Sequence, residues 1–172
     1  MKIAYTMAQG RGDTDLLLFA AAQKLAARGY RTCGTVQINT ECDTHPCDMD
    51  VQILPDGPVL RISQSLGREA KGCRLDPSVL EKAVGLVAAR LAGQVDVLIV
   101  NKFGKHEADG RGFRSVIAEA IERDLPVLVG VNALNLGAFE AFAGPQAERL
   151  EPSVEDIVGW LADASKSGRE VA

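Results

Sequence analysis

Two patterns of apolar and polar positions alternate along most of the chain. Continuous apolar runs are typical of strands buried on both faces of a parallel sheet. Such runs occur at Lys2–Tyr5, Val95–Val100 and Pro126–Val131. In the stretches between them apolar residues recur every three or four positions, which predicts helices. These stretches are Leu16–Ala27, Pro77–Leu91, Gly112–Arg123, Leu136–Ala143 and Val154–Ala164. The alternation predicts a three-layer α/β fold in which helices cover both faces of a parallel sheet.

The section between Thr32 and Arg74 follows a different pattern. Its predicted strands are Thr32–Ile38, Met49–Leu54 and Val59–Ser63. The last two flank turn-forming residues at 56–58, so they predict an antiparallel β-hairpin inserted into the parallel sheet. We therefore expect a single domain over residues 1–164, with the hairpin excursion at about 32–74 and a flexible polar tail at 165–172.

Composition narrows the class of protein. A chain of 172 residues with 47% hydrophobic residues is typical of one globular domain with a real core. A net charge of −4 argues against a general nucleic-acid binder. The sequence lacks the run of roughly 18 apolar residues that a membrane span needs, and its start lacks a signal-peptide pattern. We therefore expect a cytoplasmic protein that binds neither nucleic acid nor membrane.

The segment YTMAQGRGDTDLLL, residues 5–18, contains a glycine-bearing turn between a predicted strand and a predicted helix. A phosphate loop, G-x-x-x-x-G-K-[ST], occupies this position in nucleotide-binding proteins, where backbone N–H groups and the helix end bind phosphate. Met7 stands at the first glycine of that pattern, Gly12 at the second, Asp13 at the lysine and Thr14 at the hydroxyl residue. The candidate ligand-binding residues here are Gly10, Arg11, Gly12, Asp13, Thr14 and Asp15.

The whole order of elements, with VDVLIVNKFGKHEADGRGF after the hairpin and helix, resembles the small nucleoside-triphosphatase family. The strings CDMD, RISQSLG, GCRLDP and NKFGKHEADGRGF resemble, more closely, an uncharacterised bacterial family that is grouped with those NTPases. The resemblance covers roughly Met1 to Leu161 and implies a P-loop NTPase-like fold. Asn101 and Lys102 occupy the positions of the acidic Walker B pair, and Asp13 that of the Walker A lysine. Both motifs are therefore degenerate, and efficient triphosphate hydrolysis is not expected.

The exchange of charges between the two motifs suggests a hypothesis. If the two motif strands are neighbours, Lys102 can approach Asp13 and form a charge pair of reversed polarity. An extra negative charge about 5 Å from a phosphate charge costs roughly 3 kcal/mol at an effective dielectric constant near 20. Tight triphosphate binding in the usual pose is therefore not expected. The alternative is that Asp13 simply caps the N-terminus of the following helix.

The loop after Val100 contains further candidates. Asn101, Lys102, Lys105 and Arg111 are predicted ligand-binding residues, because loops at the carboxyl ends of parallel strands form the functional sites of α/β proteins. His106 is either an exposed loop residue or a proton-transfer group. A solvated charged loop is the alternative for the whole segment.

The inserted section contains possible metal ligands. Cys42, His45, Cys47, Asp48 and Asp50 lie close together in sequence. Their spacing differs from that of zinc modules, so incidental thiols are the alternative to a metal site. Cys47 and Cys73 fall in the family-like strings and are the first ligands of zinc or another transition metal to test. Mg²⁺, held by Asp13 or Asp15, is the other candidate cofactor. A third thiol, Cys33, fits a place in the core.

Four other residues leave alternatives open. Arg61 and Gln64 follow or end the hairpin's return strand and could contact ligand, although a lone strand arginine is more often on the surface. Asn132 and Asn135 follow the last predicted strand, where either a ligand contact or an ordinary connection fits. Phe139 and Phe142 are assigned to the core.

Three functions are compatible with these patterns. The first is a binding protein on a degenerate P-loop scaffold that takes a small anion, such as phosphate, or a nucleotide fragment. Members of the resembling family are often encoded near molybdate or tungstate transport genes, which implies a tetrahedral oxyanion and a link to oxyanion metabolism. The second is a divergent Mg²⁺-dependent nucleoside-triphosphatase or phosphotransferase that uses Asp13 or Asp15. The third is an interaction subunit with a remnant pocket, and a homo-oligomer is possible in each case.

Overall fold

The computed structural model describes residues 1–10, 12–39, 49–64 and 75–166 of the chain. The strands are β1 (Ile3–Thr6), β2 (Thr32–Asn39), β3 (Met49–Ile53), β4 (Val59–Arg61), β5 (Val97–Phe103), β6 (Val127–Val131) and β7 (Glu148–Leu150). The helices are α1 (Asp13–Ala27), α2 (Pro77–Leu91), α3 (Lys105–Ala108), α4 (Arg114–Glu122), α5 (Leu136–Ala143) and α6 (Val154–Lys166).

The strands form one sheet in the order β4-β3-β2-β5-β6-β1-β7. Along the sheet, the neighbours β2-β5-β6-β1-β7 all pair in parallel. Strand β3 pairs antiparallel with both β2 and β4. This arrangement confirms the predicted α/β fold, with a parallel sheet extended at one edge by an antiparallel hairpin.

The sheet order corrects one expectation. Strand β6 lies between β1 and β5, so the two strands that end in the degenerate motifs are not neighbours. Thr6 of β1 pairs with Gly130 of β6, and Val100 of β5 pairs with Val129. The apolar pattern of a strand shows that it is buried but carries no information about which strand lies beside it. Contacts between the two motifs therefore have to cross β6.

Helices cover both faces of the sheet, as the pattern of buried residues shows. Side chains of α1 and α6, including Leu18 and Ile157, pack with Ile99 of β5 on one face. Side chains of α2, α4 and α5 pack on the other face, where Leu98 of β5 is buried. Successive residues of β5 thus enter different cores, as expected for a central parallel strand.

Helix α2 shows how closely local sequence signals can fix an element. It begins at Pro77 and ends at Leu91, as predicted. The Asp76 carboxylate accepts hydrogen bonds from the Ser78 and Val79 N–H groups, at 2.9 and 3.3 Å, and so caps the helix. Hydrogen bonding from Ser78 lowers the pKa of Asp76. The cap and the proline at the first helical position together define where the helix starts.

Other boundaries differ from the prediction. Strand β5 continues past Val100 to Phe103 and so includes Asn101 and Lys102. Helix α6 ends at Lys166, which places the start of the predicted tail inside the helix. The short elements α3 and β7 were not predicted, because four and three residues are too few for a periodic pattern. Residues 167–172 lie outside the described ranges.

Candidate functional site

A cleft of about 640 Å³ lies at the carboxyl ends of β1, β5, β6 and β7. We call it the loop cleft. Parallel α/β sheets bind ligands at this edge, because the loops that follow the strands converge there. The loop cleft is lined by Met7, Ala8, Gln9, Gly10, Gly12, Thr14, Asp15, Asn101, Lys102, Gly130, Val131, Asn132, Ala133, Arg149, Glu151 and Pro152.

The turn between β1 and α1 is closed by side chains from the helix that follows it. The Ala8 N–H donates to Thr14 Oγ1 at 3.0 Å, and the Gly10 N–H donates to Asp13 Oδ2 at 3.1 Å. A Cβ atom at Gly10 would lie 2.1 Å from that carboxylate oxygen, so a larger residue there would displace the Asp13 side chain. In a working phosphate loop such N–H groups bind phosphate. Here two of them already have acceptors within the protein.

Asp13 does not have either of the roles expected for it. Gly12, with a left-handed φ of 86°, is the N-cap of α1, and Asp13 is the first helical residue. The expected ion pair with Lys102 does not occur among the ion pairs of the described residues, so that hypothesis is wrong. Lys102 follows Asn101 in β5, and successive side chains of a strand point to opposite faces of the sheet. Asn101, and not Lys102, is the residue that reaches α1. The Asp13 carboxylate is instead an internal anion for the turn.

The contact that does join the two motifs is made by Asp15 and Asn101. The Asn101 amide donates to Asp15 Oδ1 at 2.8 Å, and each residue is 4% exposed. Asn101 Oδ1 accepts a hydrogen bond from the Gln37 N–H of β2 at 2.9 Å. Both ends of the amide are therefore occupied. This bridge ties α1 to β5 and β2 across the floor of the loop cleft.

Gly130 of β6 makes the bridge possible. A Cβ atom at this position would lie 2.1 Å from the Asn101 carbonyl oxygen and 2.8 Å from Leu18 Cδ1 of α1. The absence of a side chain lets β5 and α1 approach each other over β6. Asp15, one turn before Leu18, can then reach Asn101 from the same helix.

Two cations, Lys102 and Arg149, line the loop cleft without a partner among the residues that the structure describes. Within the described residues, the structure shows no ion pair or hydrogen bond for Lys102 or Arg149, and both side chains are exposed. The first turn of α1 adds backbone N–H groups that have no acceptor within the helix, although that of Asp13 donates to the Gly10 carbonyl oxygen at 3.3 Å. Arg149 was not predicted as a site residue, because the three residues of β7 are too few to form a detectable pattern. The adjacent Glu148 and Leu150 give no hint of a site either.

A second cleft, of about 740 Å³, lies on the α2 side of the sheet beside the hairpin. We call it the apolar cleft, since its walls include Met49, Val51, Ile62, Leu75, Leu80 and Phe113. Lys105 and Arg111 line this cleft and not the loop cleft. Both lie near Asp109, at 3.0 and 3.8 Å respectively, and the hydrogen bond from Lys105 lowers the pKa of the Asp109 carboxyl. These two predicted ligand-binding residues therefore already have an anionic neighbour.

The most distinctive sequence string, NKFGKHEADGRGF, contains the end of β5, helix α3 and the turn that follows it. A buried carboxylate holds this segment together. Glu107 is 3% exposed, and its two oxygens accept hydrogen bonds from the Gly104 and Phe113 N–H groups at 2.9 and 3.1 Å. A Cβ atom at Gly112 would lie 2.2 Å from Glu107 Oε1, and the φ of 61° at Gly112 also favours glycine. The string thus encodes a clamp that fixes one wall of the apolar cleft.

His106 lies on the same loop and faces α2. Its Nε2 atom is 3.7 Å from Glu81 Oε1, an oxygen that also accepts the Gly112 N–H at 3.1 Å. The side chain is 12% exposed, so the interpretation of His106 as an exposed loop histidine is wrong. It lines the apolar cleft, where a proton-transfer role stays a prediction.

The remaining candidates divide between core, surface and undescribed segments. Cys33 is buried in the core, where burial raises the pKa of its thiol. Arg61 forms a cross-strand ion pair with Asp50 at 3.0 Å, in line with a surface role. Asn132 accepts the Asn135 N–H at 3.0 Å and lines both clefts. Phe139 is fully buried, and Phe142 stacks against Arg114.

The metal prediction falls mostly on residues that the structure does not describe. The candidate metal ligands outside the described ranges are Cys42, His45, Cys47, Asp48 and Cys73. The candidate ligand-binding residue Arg11 also lies outside them. The described part of the chain contains no group of three or more His, Cys, Asp or Glu side chains placed to hold a metal ion. The proposal of Cys47 and Cys73 as ligands therefore stays a prediction. No helix in the described ranges is long and apolar enough to cross a membrane.

The loop cleft does not fit a magnesium–triphosphate complex in the arrangement of working phosphate loops. The Thr14 hydroxyl, which would bind the metal, accepts the Ala8 N–H, and the lysine position holds the Asp13 carboxylate. Asn101, at the position of the metal-binding acid, uses both ends of its amide within the protein. Among the described residues, the side chains that remain available are those of Lys102 and Arg149, and the start of α1 adds the positive end of the helix dipole.

Comparisons with known proteins agree with the fold. A family model described as "Protein of unknown function (DUF2478)" matches residues 3–160. The chain is 36% identical over 166 residues to "Molybdenum import ATP-binding protein ModC 2" of Bradyrhizobium diazoefficiens. That match covers 95% of the chain but only 18% of the relative, so the chain corresponds to a small part of that protein.

Two solved structures share the architecture. The crystal structure of THEP1 from the hyperthermophile Aquifex aeolicus has a TM-score of 0.62 and 19% identity, over 95% of this chain and 96% of that one. The solution structure of a human cancer-related nucleoside triphosphatase has a TM-score of 0.64 and 15% identity, over 100% of both chains. At these identities the similarity establishes the P-loop NTPase-like fold alone.

Proposed function

The chain belongs to the family described as "Protein of unknown function (DUF2478)", which here has the fold of the P-loop NTPases, and from this premise we propose that it binds a small oxyanion in the loop cleft without efficient ATP hydrolysis. The ligand is a tetrahedral anion of the phosphate or molybdate and tungstate class, held by Lys102, Arg149 and the first turn of α1. The observation that carries the proposal is the pair of cations that line the cleft with no anionic partner in the described residues.

The closure of the turn supports binding of a small anion over a triphosphate. Two N–H groups of the turn bond to Asp13 and Thr14, so the cradle offers fewer donors than a chain of phosphates requires. The cleft also contains the Asp15 and Glu151 carboxylates. These carboxylates repel an extended polyphosphate more than a single tetrahedral anion, which carries less negative charge.

The name of the curated relative favours molybdate and tungstate among the oxyanions. That protein is named for molybdenum import, and the 36% identity covers almost the whole of this chain. We accordingly propose a role as a sensor, carrier or accessory factor that works with proteins of oxyanion metabolism.

Calorimetric titration of phosphate, molybdate and tungstate tests the proposal. The Lys102→Ala variant should bind the preferred anion at least about tenfold more weakly, because a hydrogen bond from a charged group contributes roughly 1.5–3 kcal/mol. Lys24→Ala, which removes an exposed lysine from the last turn of α1, is the matched control and should bind normally. Absence of anion binding, or equal affinities of Lys102→Ala and Lys24→Ala, would refute the proposal.

A second candidate function is favoured by the buried Asp15 carboxylate, which lines the cleft at the start of α1. This candidate is a divergent magnesium-dependent nucleoside-triphosphatase or phosphotransferase. Release of phosphate from ATP by the purified protein, dependent on Mg²⁺ and abolished in Asp15→Asn, would establish it in place of the binding function. We expect no release above the background of the Asp15→Asn protein.

A further inference from the structure

The loop cleft and the apolar cleft share part of their walls. Asn101, Lys102 and Asn132 line both of them, at the edge of the sheet where β5 and β6 end. The two clefts lie toward opposite faces of the sheet, because one is bordered by α1 and the other by α2. Lys102 stands at the junction, so an anion bound to it lies at the entrance of the apolar cleft.

The apolar cleft has the size and the surface of a small-molecule site. Its volume of about 740 Å³ lies within the range of roughly 300–1,000 Å³ that is usual for ligand pockets. Val51, Ile62, Leu80 and Phe113 line it and are at most 7% exposed, so they form fixed apolar walls. An inorganic anion has no group that would remove such surface from water, whereas an organic ligand does.

Polar groups in the apolar cleft are arranged so that they do not oppose an anionic ligand. The buried Glu107 carboxylate accepts two backbone hydrogen bonds, which compensate its charge. Asp109 is paired with Lys105 at 3.0 Å. Lys102 is the cation at the junction with no such pairing in the described residues. Its charge is therefore available to a ligand that spans both clefts.

We infer that the two clefts form one composite site for an organic anion. The anionic group lies against Lys102 in the loop cleft, and an apolar ring system fills the apolar cleft. This inference rests on the proposed anion-binding function and extends its ligands from inorganic oxyanions to an organic phosphate or a similar oxyanion with an apolar body.

The test compares three probes by calorimetry on the full chain: inorganic phosphate, methyl phosphate and 1-naphthyl phosphate. A composite site should bind 1-naphthyl phosphate roughly tenfold or more tightly than methyl phosphate, because the ring buries apolar surface that the methyl group lacks. Lys102→Ala should weaken binding of all three probes.

Two variants fill the apolar cleft from its partly exposed rim, Met49→Trp and Gln64→Trp. Each should abolish the advantage of 1-naphthyl phosphate while inorganic phosphate binds as before. Gln52→Trp places the same side chain on β3 outside the cleft lining and is the control. Thermal melting verifies that each variant folds, and two filling variants guard against the failure of one.

The outcomes separate the two proposals. Equal affinities for methyl and 1-naphthyl phosphate, or an advantage that survives both filling variants, would overturn the composite site and leave the anion-binding function intact. If none of the three probes binds, the composite site fails. The anion-binding function fails with it if molybdate and tungstate do not bind either, or if Lys102→Ala changes no affinity.

Discussion

At the scale of single residues, the site depends on which side chains satisfy one another. Asp13 and Thr14 serve the turn before α1, Asp15 and Asn101 bridge the two motifs, and Lys102 keeps its charge unpaired within the described residues. Residues of the two motif segments therefore contact one another instead of being left without a role. Each replaced residue that the structure describes has a defined place in the geometry of the cleft.

Restoring an acid at the second motif should destabilise the protein. Asn101→Asp places a second buried carboxylate about 3 Å from Asp15, where two like charges cannot both be ionised at low cost. We expect a loss of at least about 2 kcal/mol in the free energy of unfolding at pH 8, measured in urea. The loss should shrink at pH 5, because protonation of one carboxyl group removes the repulsion.

The control for this variant exchanges the two residues. The double variant Asp15→Asn with Asn101→Asp keeps one amide and one carboxylate in contact, so it should recover most of the lost stability. A single Asn101→Asp variant that is as stable as the unaltered protein at pH 8 would show that the bridge is not the tight buried contact described.

The sequence was enough to predict which loops line the cleft, but not which side chains contact each other there. Six of the predicted ligand-binding residues line the loop cleft, namely Gly10, Gly12, Thr14, Asp15, Asn101 and Lys102. The pairing of Asp13 with Lys102 was wrong, since it assumed neighbouring strands. Arg149 was missed, because an arginine on a three-residue edge strand looks like any surface residue.

At the scale of elements, the packing of α1 over β6 sets the width of the site. The close approach at Gly130 brings Leu18 and the Asn101 backbone together and allows Asp15 to reach Asn101. No periodic pattern in the sequence shows this dependence, since a glycine in a buried apolar strand only signals a weak strand position. The long apolar runs and the Asp76-Pro77 cap, by contrast, were enough to predict the central strands and α2.

Gly130→Ala tests the role of this packing. The added methyl group would meet the Asn101 carbonyl at 2.1 Å, so α1 or β5 must shift. We expect a loss of about 1–3 kcal/mol in the free energy of unfolding and weaker anion binding. Gly85→Ala in α2 is the control, because nothing lies within 4 Å of its added atom and alanine favours helix by roughly 0.5–1 kcal/mol.

The prediction would be contradicted if the Gly130→Ala variant were as stable as the unaltered protein and bound the anion with the same affinity. Such a result would mean that α1 can move away from β6 without loss, and that the width of the loop cleft does not depend on Gly130.

At the scale of the whole molecule, the chain has the fold of the P-loop NTPases, and the proposed function gives the binding edge of that fold a different use. The parallel sheet still brings the ends of β1, β5, β6 and β7 together. The hairpin of β3 and β4 extends the sheet on the other side of β5 and supplies walls of the apolar cleft. The sequence predicted the layers and the hairpin, because these follow from local patterns. It could not predict the strand order or the second cleft, which arise only when distant elements pack.

The most direct test of the proposed function is to locate a bound oxyanion in crystals of the protein. Tungstate is suitable, because tungsten scatters anomalously and can be placed without ambiguity. We predict a tungsten peak in the loop cleft, with Lys102 Nζ and the first turn of α1 around it. A tungsten peak only at other sites, in crystals grown at a concentration that saturates binding in solution, would contradict the account.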